Sequence, residues 1–316
     1  MVLSQKISLE DGLLRAIADD PENAAIPGPR GAALRFLAKF TRRSWEIGDA
    51  DLETLREVGL ADEDIADLCQ MGAIQTLAVN QADGGGIWFP EAGGDAVGHD
   101  RAYYAGAQEG LTGAGAAPTR GRGAIEGAPG AAAFRIATDP DAAPYQEQAR
   151  RAQTRWGFVP KLLRALSKGR EPSLLPFQQI ALELLEAPQS AALTPRQHAL
   201  VRALAAEASH GAYCEPTIQQ QLVRAGEAPA GDAPETDWAK ARARDERDLL
   251  VFRFAEKAAR NAYKITEKDA ARFRDAGLGD EAYLDVLGTV GLQLGIDRMA
   301  NALGVAPDAH PLLDAA

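Results

Sequence analysis

Residues 35–82 recur as residues 253–300, 218 positions later, with no insertion or deletion. Arg35, Phe36, Lys39, Arg42, Ile47, Asp51, Arg56, Gly59, Leu60, Asp62, Glu63, Asp67, Gln75 and Ala82 return as Arg253, Phe254, Lys257, Arg260, Ile265, Asp269, Arg274, Gly277, Leu278, Asp280, Glu281, Asp285, Gln293 and Ala300. A shared spacing of apolar, capping and charged positions implies one supersecondary unit used twice. Two copies are too few for a solenoid, so the pattern predicts a duplicated or fused helical unit.

Each copy reads as helices. In the first, Leu34, Leu37, Ala38 and Thr41 fall at helical spacing, and Asp49-Ala50-Asp51 looks like a helix start. Leu52, Leu55 and Val58 continue one face to Gly59, a natural stop because a left-handed residue costs little there. Asp62 is then expected to cap a helix carrying Ile65, Leu68, Cys69, Ala73 and Leu77. The second copy repeats this with Thr266, Phe273, Gly277, Asp280, Leu284, Leu287 and Leu292. Gln75 and Gln293, at matching positions, are candidate buried hydrogen-bond donors.

Between the copies the chain changes character. Glycine-rich sequence follows Gly84-Gly85-Gly86, and residues 91–140 are expected to be a connector, with Trp88, Phe89, Tyr103 and Tyr104 as docking aromatics. Gly113-Ala114-Gly115 is no dinucleotide loop, since Pro118 stands where a third glycine should and no apolar strand precedes it. Helices resume near Ala142. Gly157-Phe158-Val159-Pro160 interrupts them, and Thr194-Pro195 sets a sharp N-terminus with Thr194 as cap. Cys214-Glu215-Pro216 opens another helix. No alternating strand pattern occurs, so the fold class expected is all-α. The expected division is 1–90, a half-domain repeat; 91–140, the connector; and 141–316, a complete helical domain.

The net charge of −11, from 34 basic and 45 acidic residues, argues against nucleic acid or an anionic membrane as partner. No apolar run approaches the roughly 18 residues of a membrane span, and Met1-Val2-Leu3-Ser4-Gln5-Lys6 lacks a signal-peptide core. Cys69 and Cys214 cannot build a disulfide framework. A cytoplasmic protein is expected.

Three segments occur in an order that resembles the alkylhydroperoxidase D-like (carboxymuconolactone decarboxylase) superfamily, in its peroxidase-related branch. They are Trp156–Leu166, the stretch Leu193-Thr194-Pro195-Arg196-Gln197-His198-Ala199-Leu200-Val201 leading into Gly211-Ala212-Tyr213-Cys214, and the ending Arg298–Val305. They cover roughly residues 143–308; residues 5–90 resemble only the C-terminal half of such a domain. The resemblance implies a helical homo-oligomer acting on a small molecule without a cofactor. Peroxidase-type members carry a Cys-x-x-Cys pair, a following histidine and an upstream glutamate. Here the second cysteine is Cys214, while the first falls on Gly211, the histidine on Ile218 and the glutamate on Ala199.

The candidate catalytic residues are therefore Cys214, His210, Glu207, Tyr213 and His198. Cys214 precedes a helix start, where free N–H groups favour a thiolate. Without a resolving partner it needs an external thiol to complete a peroxidase cycle. Glu207 and His210 share a helix face at the Glu-x-x-His spacing. Di-metal helices use that spacing in pairs, and only one such motif occurs, so no metal is expected. With His198 and Tyr213 they could act as acid/base groups. Three functions follow: a single-thiol, peroxidase-related oxidoreductase; a cofactor-independent decarboxylase or lyase acting on a small organic acid or lactone; and a non-catalytic fused pseudo-dimer serving as scaffold or binding module. Arg164, Arg196 and Arg202 are candidate carboxylate receptors, and Asn80, Gln81, Asp83 and Trp88 are candidates to complete the pocket from the first copy.

Overall fold

The structure, a computed structural model, describes residues 20–21, 25–85, 134–171, 173–227 and 238–308. The connector as far as Ala133, its aromatics Trp88, Phe89, Tyr103 and Tyr104, and both His99 and His310 lie outside the described residues. The described residues form an all-α assembly with no strand.

Unit one comprises α1 (Gly28–Arg43), a 3-10 turn (Ser44–Glu46), α2 (Asp49–Glu57) and α3 (Asp62–Gly85). A middle group follows: α4 (Ala143–Trp156), α5 (Lys161–Ala165), α6 (Leu174–Leu184), α7 (Pro195–Ala208), α8 (Glu215–Arg224) and α9 (Trp238–Arg242). Unit two comprises α10 (Glu246–Asn261), a 3-10 turn (Ala262–Lys264), α11 (Glu267–Asp275) and α12 (Gly279–Leu303). The bounds of the first three elements of unit one return in unit two displaced by 218 positions.

Interactions inside the units repeat as well. Lys39 Nζ donates to Asp51 Oδ1 at 2.8 Å, and Lys257 Nζ donates to Asp269 Oδ2 at 2.7 Å. Asp51 accepts the Gly48 N–H and Asp269 the Thr266 N–H, so both second helices start on a carboxylate that reaches back one turn. Gly59 and Gly277 end those helices at φ +92° and +69°, a backbone region in which a Cβ is strained. One cap differs from expectation. Asp64, not Asp62, reaches back to the Ala61 N–H, and Asp62 instead holds Arg56 and the Ala137 N–H.

Two faces also differ from the sequence reading. In α1 the buried positions are Gly31, Ala32, Phe36, Ala38 and Phe40, whereas Thr41 is exposed. The reason is Gly72 on α3: its missing side chain admits the Phe40 ring, which turns that face inward. Burying the Phe40 ring contributes on the order of 1.5–3 kcal/mol, while Leu34 and Leu37 stay half-buried. Leu284 is exposed, because Val286, Leu287 and Val290 already supply the buried face of α12.

The two units meet chiefly through α3 and α12, the most extensive helix pair among the described residues, running antiparallel. A Cβ on Gly295 would lie 3.0 Å from the Ala73 carbonyl oxygen, and one on Gly291 would lie 2.9 Å from the Leu77 side chain. Subtracting 218 from 295 and 291 gives 77 and 73, so these two contacts exchange under a pseudo-two-fold axis at Gln75 and Gln293. Small residues at the crossing bring the backbones close. The Tyr283 hydroxyl donates to the Gly84 carbonyl at 2.5 Å, fastening one end. The Asn80 Nδ2 amide, a candidate pocket group, is spent on the Ala258 carbonyl at 2.8 Å. The middle group packs on unit two, with α7 lying against both α10 and α12.

Candidate functional site: a sealed polar seam

Helix α7 begins where the sequence sets it. Thr194 accepts the Gln197 N–H, Gln197 reaches back to the Thr194 N–H, and Pro195 opens the first turn. That start fixes the helix phase. It places His198 and Arg202 one turn apart on one side, with Ser209 at the C-cap. Opposite them α12 presents Gln293 and Asp297, also one turn apart.

These side chains join in a line. Arg202 Nε donates to Gln293 Oε1 at 2.9 Å, and Gln293 Nε2 donates to Asp297 Oδ2 at 2.8 Å. The Ser209 hydroxyl donates to the same Asp297 oxygen at 2.9 Å. The guanidinium also donates to the Leu185 carbonyl, Gln221 Oε1 and the Thr217 hydroxyl. Cys214, at the N-cap of α8, borders Asp297, Arg202 and Gln293. The Asp297 carboxylate lies so close against Gly211 that no Cβ fits there. The space a side chain at position 211 would take is therefore occupied by a carboxylate from α12.

The seam is closed to solvent. Asp297 is 0% and Cys214 3% exposed. Burial pushes the Asp297 carboxyl up to about 6, against the pull of Gln293, Ser209 and Arg202. Burial, with Asp297 adding to it, pushes the Cys214 thiol up to about 12, despite Arg202 and Gln293. His198, buried beside the Arg202 charge, is driven down to about 3. At neutral pH the thiol and the imidazole are thus both uncharged. His198 Nε2 and Asp297 Oδ1 are buried without a hydrogen-bond partner among the described residues.

The five candidate residues are not gathered in one place. Cys214 and His198 belong to the seam. Tyr213 is committed elsewhere: its hydroxyl donates to Asp308 Oδ2 at 2.7 Å and accepts the Leu162 N–H, which ties the closing segment to α5. Burial, then Asp308, raises the Tyr213 phenol well above its ordinary range. His210 takes φ +51°, rare for a residue with a Cβ, and its ring lies 4.2 Å from the exposed Trp45 of unit one. Glu207 is half-buried on the last turn of α7. Ala199 and Ile218, where the resemblance would put the glutamate and the histidine, are buried apolar residues.

Of the candidate arginines, Arg196 is spent on Glu227, Asp248 and the Arg242 carbonyl, Arg202 on the seam, and Arg164 is exposed. Cys69 is sealed in the core, as the apolar spacing implies. The sequence reading missed Asp297 and Ser209. The available signal was Gln293, one turn before Asp297 on the same helix face. Among the described residues no cluster of three metal-ligating side chains occurs, and no helix is long and apolar enough to cross a membrane. No family model, curated protein or solved structure matches the chain.

Proposed function

We propose that this chain is a non-catalytic relative of the alkylhydroperoxidase D-like superfamily, a helical pairing module whose former chemical slots have become structural. One observation carries the reading: the only cysteine at a family slot, Cys214, is 3% exposed and lies against a carboxylate, which holds it as a neutral thiol. Thiol chemistry requires the thiolate and access to it. The surrounding groups fit a structural role, since the hydrogen bonds of Arg202 knit α12 to α8 and to the end of α6. Lyase chemistry finds no support either, because His198 is sealed in the seam while His210 packs against Trp45 with the ring planes tilted. Both cysteines are free and buried, which supports a reducing, cytoplasmic setting.

A second reading, a one-cysteine peroxidase, draws on the convergence of Arg202, Gln293 and Asp297 on Cys214. Asp297 would take the thiol proton, the sulfur would attack a hydroperoxide oxygen, and the proton would pass to the departing alkoxide. The products are a sulfenic acid and an alcohol, and an external dithiol would then restore the thiol with release of water.

Hydroperoxide reduction with excess dithiol, measured on the wild type and on Cys214→Ser, separates the two. The non-catalytic reading expects no thiol-dependent turnover from either protein. Turnover in the wild type that disappears in Cys214→Ser overturns it in favour of the peroxidase.

A further inference from the structure

Helix α3 carries no charged residue between Asp67 and Asp83. One side of this uncharged stretch faces solvent and exposes apolar side chains. Met71 is 51% and Val79 43% exposed; Gln75 and Ala78 are exposed, and Ile74 and Ala82 are half-buried on the same stripe. The corresponding residues of α12, 218 positions later, are Thr289, Leu292, Gln293, Ile296, Asp297 and Ala300, and all of them are buried. There α7 lies across the face. Unit one has the same helix face and, among the described residues, no counterpart of α7.

We propose that this stripe is a homodimer interface, in which α3 packs antiparallel on α3 of a second copy across a two-fold axis. The inference rests on the reading of the chain as a pairing module. Its ground is self-complementarity, which an isologous contact demands. A dyad midway along the stripe sets Met71 opposite Ala82, Ile74 opposite Val79 and Gln75 opposite Ala78 of the other copy. The longest side chain then meets one of the shortest, and the β-branched residues meet each other. The stripe is uncharged, so a chain of net charge −11 brings no like charges face to face within it. The geometry also repeats one already used inside the molecule, where α3 and α12 cross antiparallel about a pseudo-dyad at small residues.

The stripe spans about 16 Å at 1.5 Å per residue. One short helix face is a small contact beside the roughly 800 Å² per partner of a standard interface, so the proposal is of a weak dimer, with dissociation on the order of micromolar. Sedimentation velocity of the full chain from about 1 to 100 μM tests this. The expected result is a shift from 33.5 kDa to twice that mass. Val79→Glu, at an exposed position, should weaken association by at least 100-fold with unchanged helical circular dichroism. Gln75→Lys and Ala78→Glu should each be monomeric alone and should associate when mixed, because the proposed register sets these positions opposite each other.

A wild type that stays monomeric to 100 μM overturns the proposal, as does a dimer indifferent to all three substitutions. The first result is also the outcome expected if another part of the chain or a different protein covers the stripe. Hydroperoxide turnover by the wild type would instead sink the non-catalytic reading, whatever the mass.

Discussion

Asp67 and Asp285, equivalent residues of the two units, hold opposite ends of the same helix. Asp67 accepts the backbone N–H groups of Arg170 and Glu171 just before α6, and Asp285 accepts those of Gln189 and Ser190 just after it. Helix α6 therefore lies across the pseudo-dyad as a brace, with one repeated carboxylate at each end. The two ends are not equal. Asp285 is buried and also receives the Ser190 hydroxyl at 3.0 Å, whereas the bonds of Asp67 are exposed. Asp285→Ala should cost about 2–3 kcal/mol and Asp67→Ala about 1 kcal/mol, read as shifts in the urea midpoint. Equal losses would mean that burial does not set the difference.

Asp297 is the clearest pH handle. Its carboxyl rises from 3.8 to about 6 on folding. The native state therefore binds more protons than the unfolded state between those values, and the contribution of this group to stability falls as pH rises through about 6. A rise of that size corresponds to about 3 kcal/mol of penalty for the ionised form. Asp297→Asn removes that penalty and leaves an unpaired amide worth about 1 kcal/mol. The variant should be more stable by about 1–2 kcal/mol at pH 8, and that gain should vanish near pH 4.5. Denaturant midpoints across this range check the sign.

Gly211 and Asp297 form a steric pair. Gly211→Ala puts a methyl group into the carboxylate and should cost on the order of 1–3 kcal/mol by overpacking. If that contact is the cause, Asp297→Ala in the same chain should recover most of the loss. A double-mutant cycle with coupling under about 0.5 kcal/mol would place the strain elsewhere.

The legible part of the fold was its punctuation. Thr194-Pro195, Gly157, Gly59 and the Cys214-Glu215-Pro216 turn act through local backbone chemistry, and each marks an element boundary in the structure. The repeat was legible too, but the fate of its members was not. Gln75 and Gln293 occupy the same helix phase, and only Gln293 is buried, because α7 covers one unit alone. Asp297 carries no local mark of its role; its hydroxyl partner Ser209 lies 88 positions away. Face and burial are set by tertiary neighbours, which periodicity within a single helix does not encode.

Both thiols should resist modification while the chain is folded. Cys69 and Cys214 are sealed, and burial raises both above their ordinary range. An aromatic disulfide reagent at pH 8 should label neither within minutes and both once urea unfolds the chain. Fast native labelling of Cys214, lost in Cys214→Ser, would show that the seam opens to solvent.

The antiparallel crossing of α3 and α12 also sets an order of events during synthesis. The crossing joins residues about 200 positions apart, so α3 leaves the ribosome long before its partner exists. At about 5–20 residues per second the wait is on the order of 10–40 s. Throughout it α3 has α1 and α2 to pack on, but the face that α12 will cover, in the charge-free stretch between Asp67 and Asp83, stays open. The early chain is thus the vulnerable species, and its need for a chaperone should end when α12 emerges.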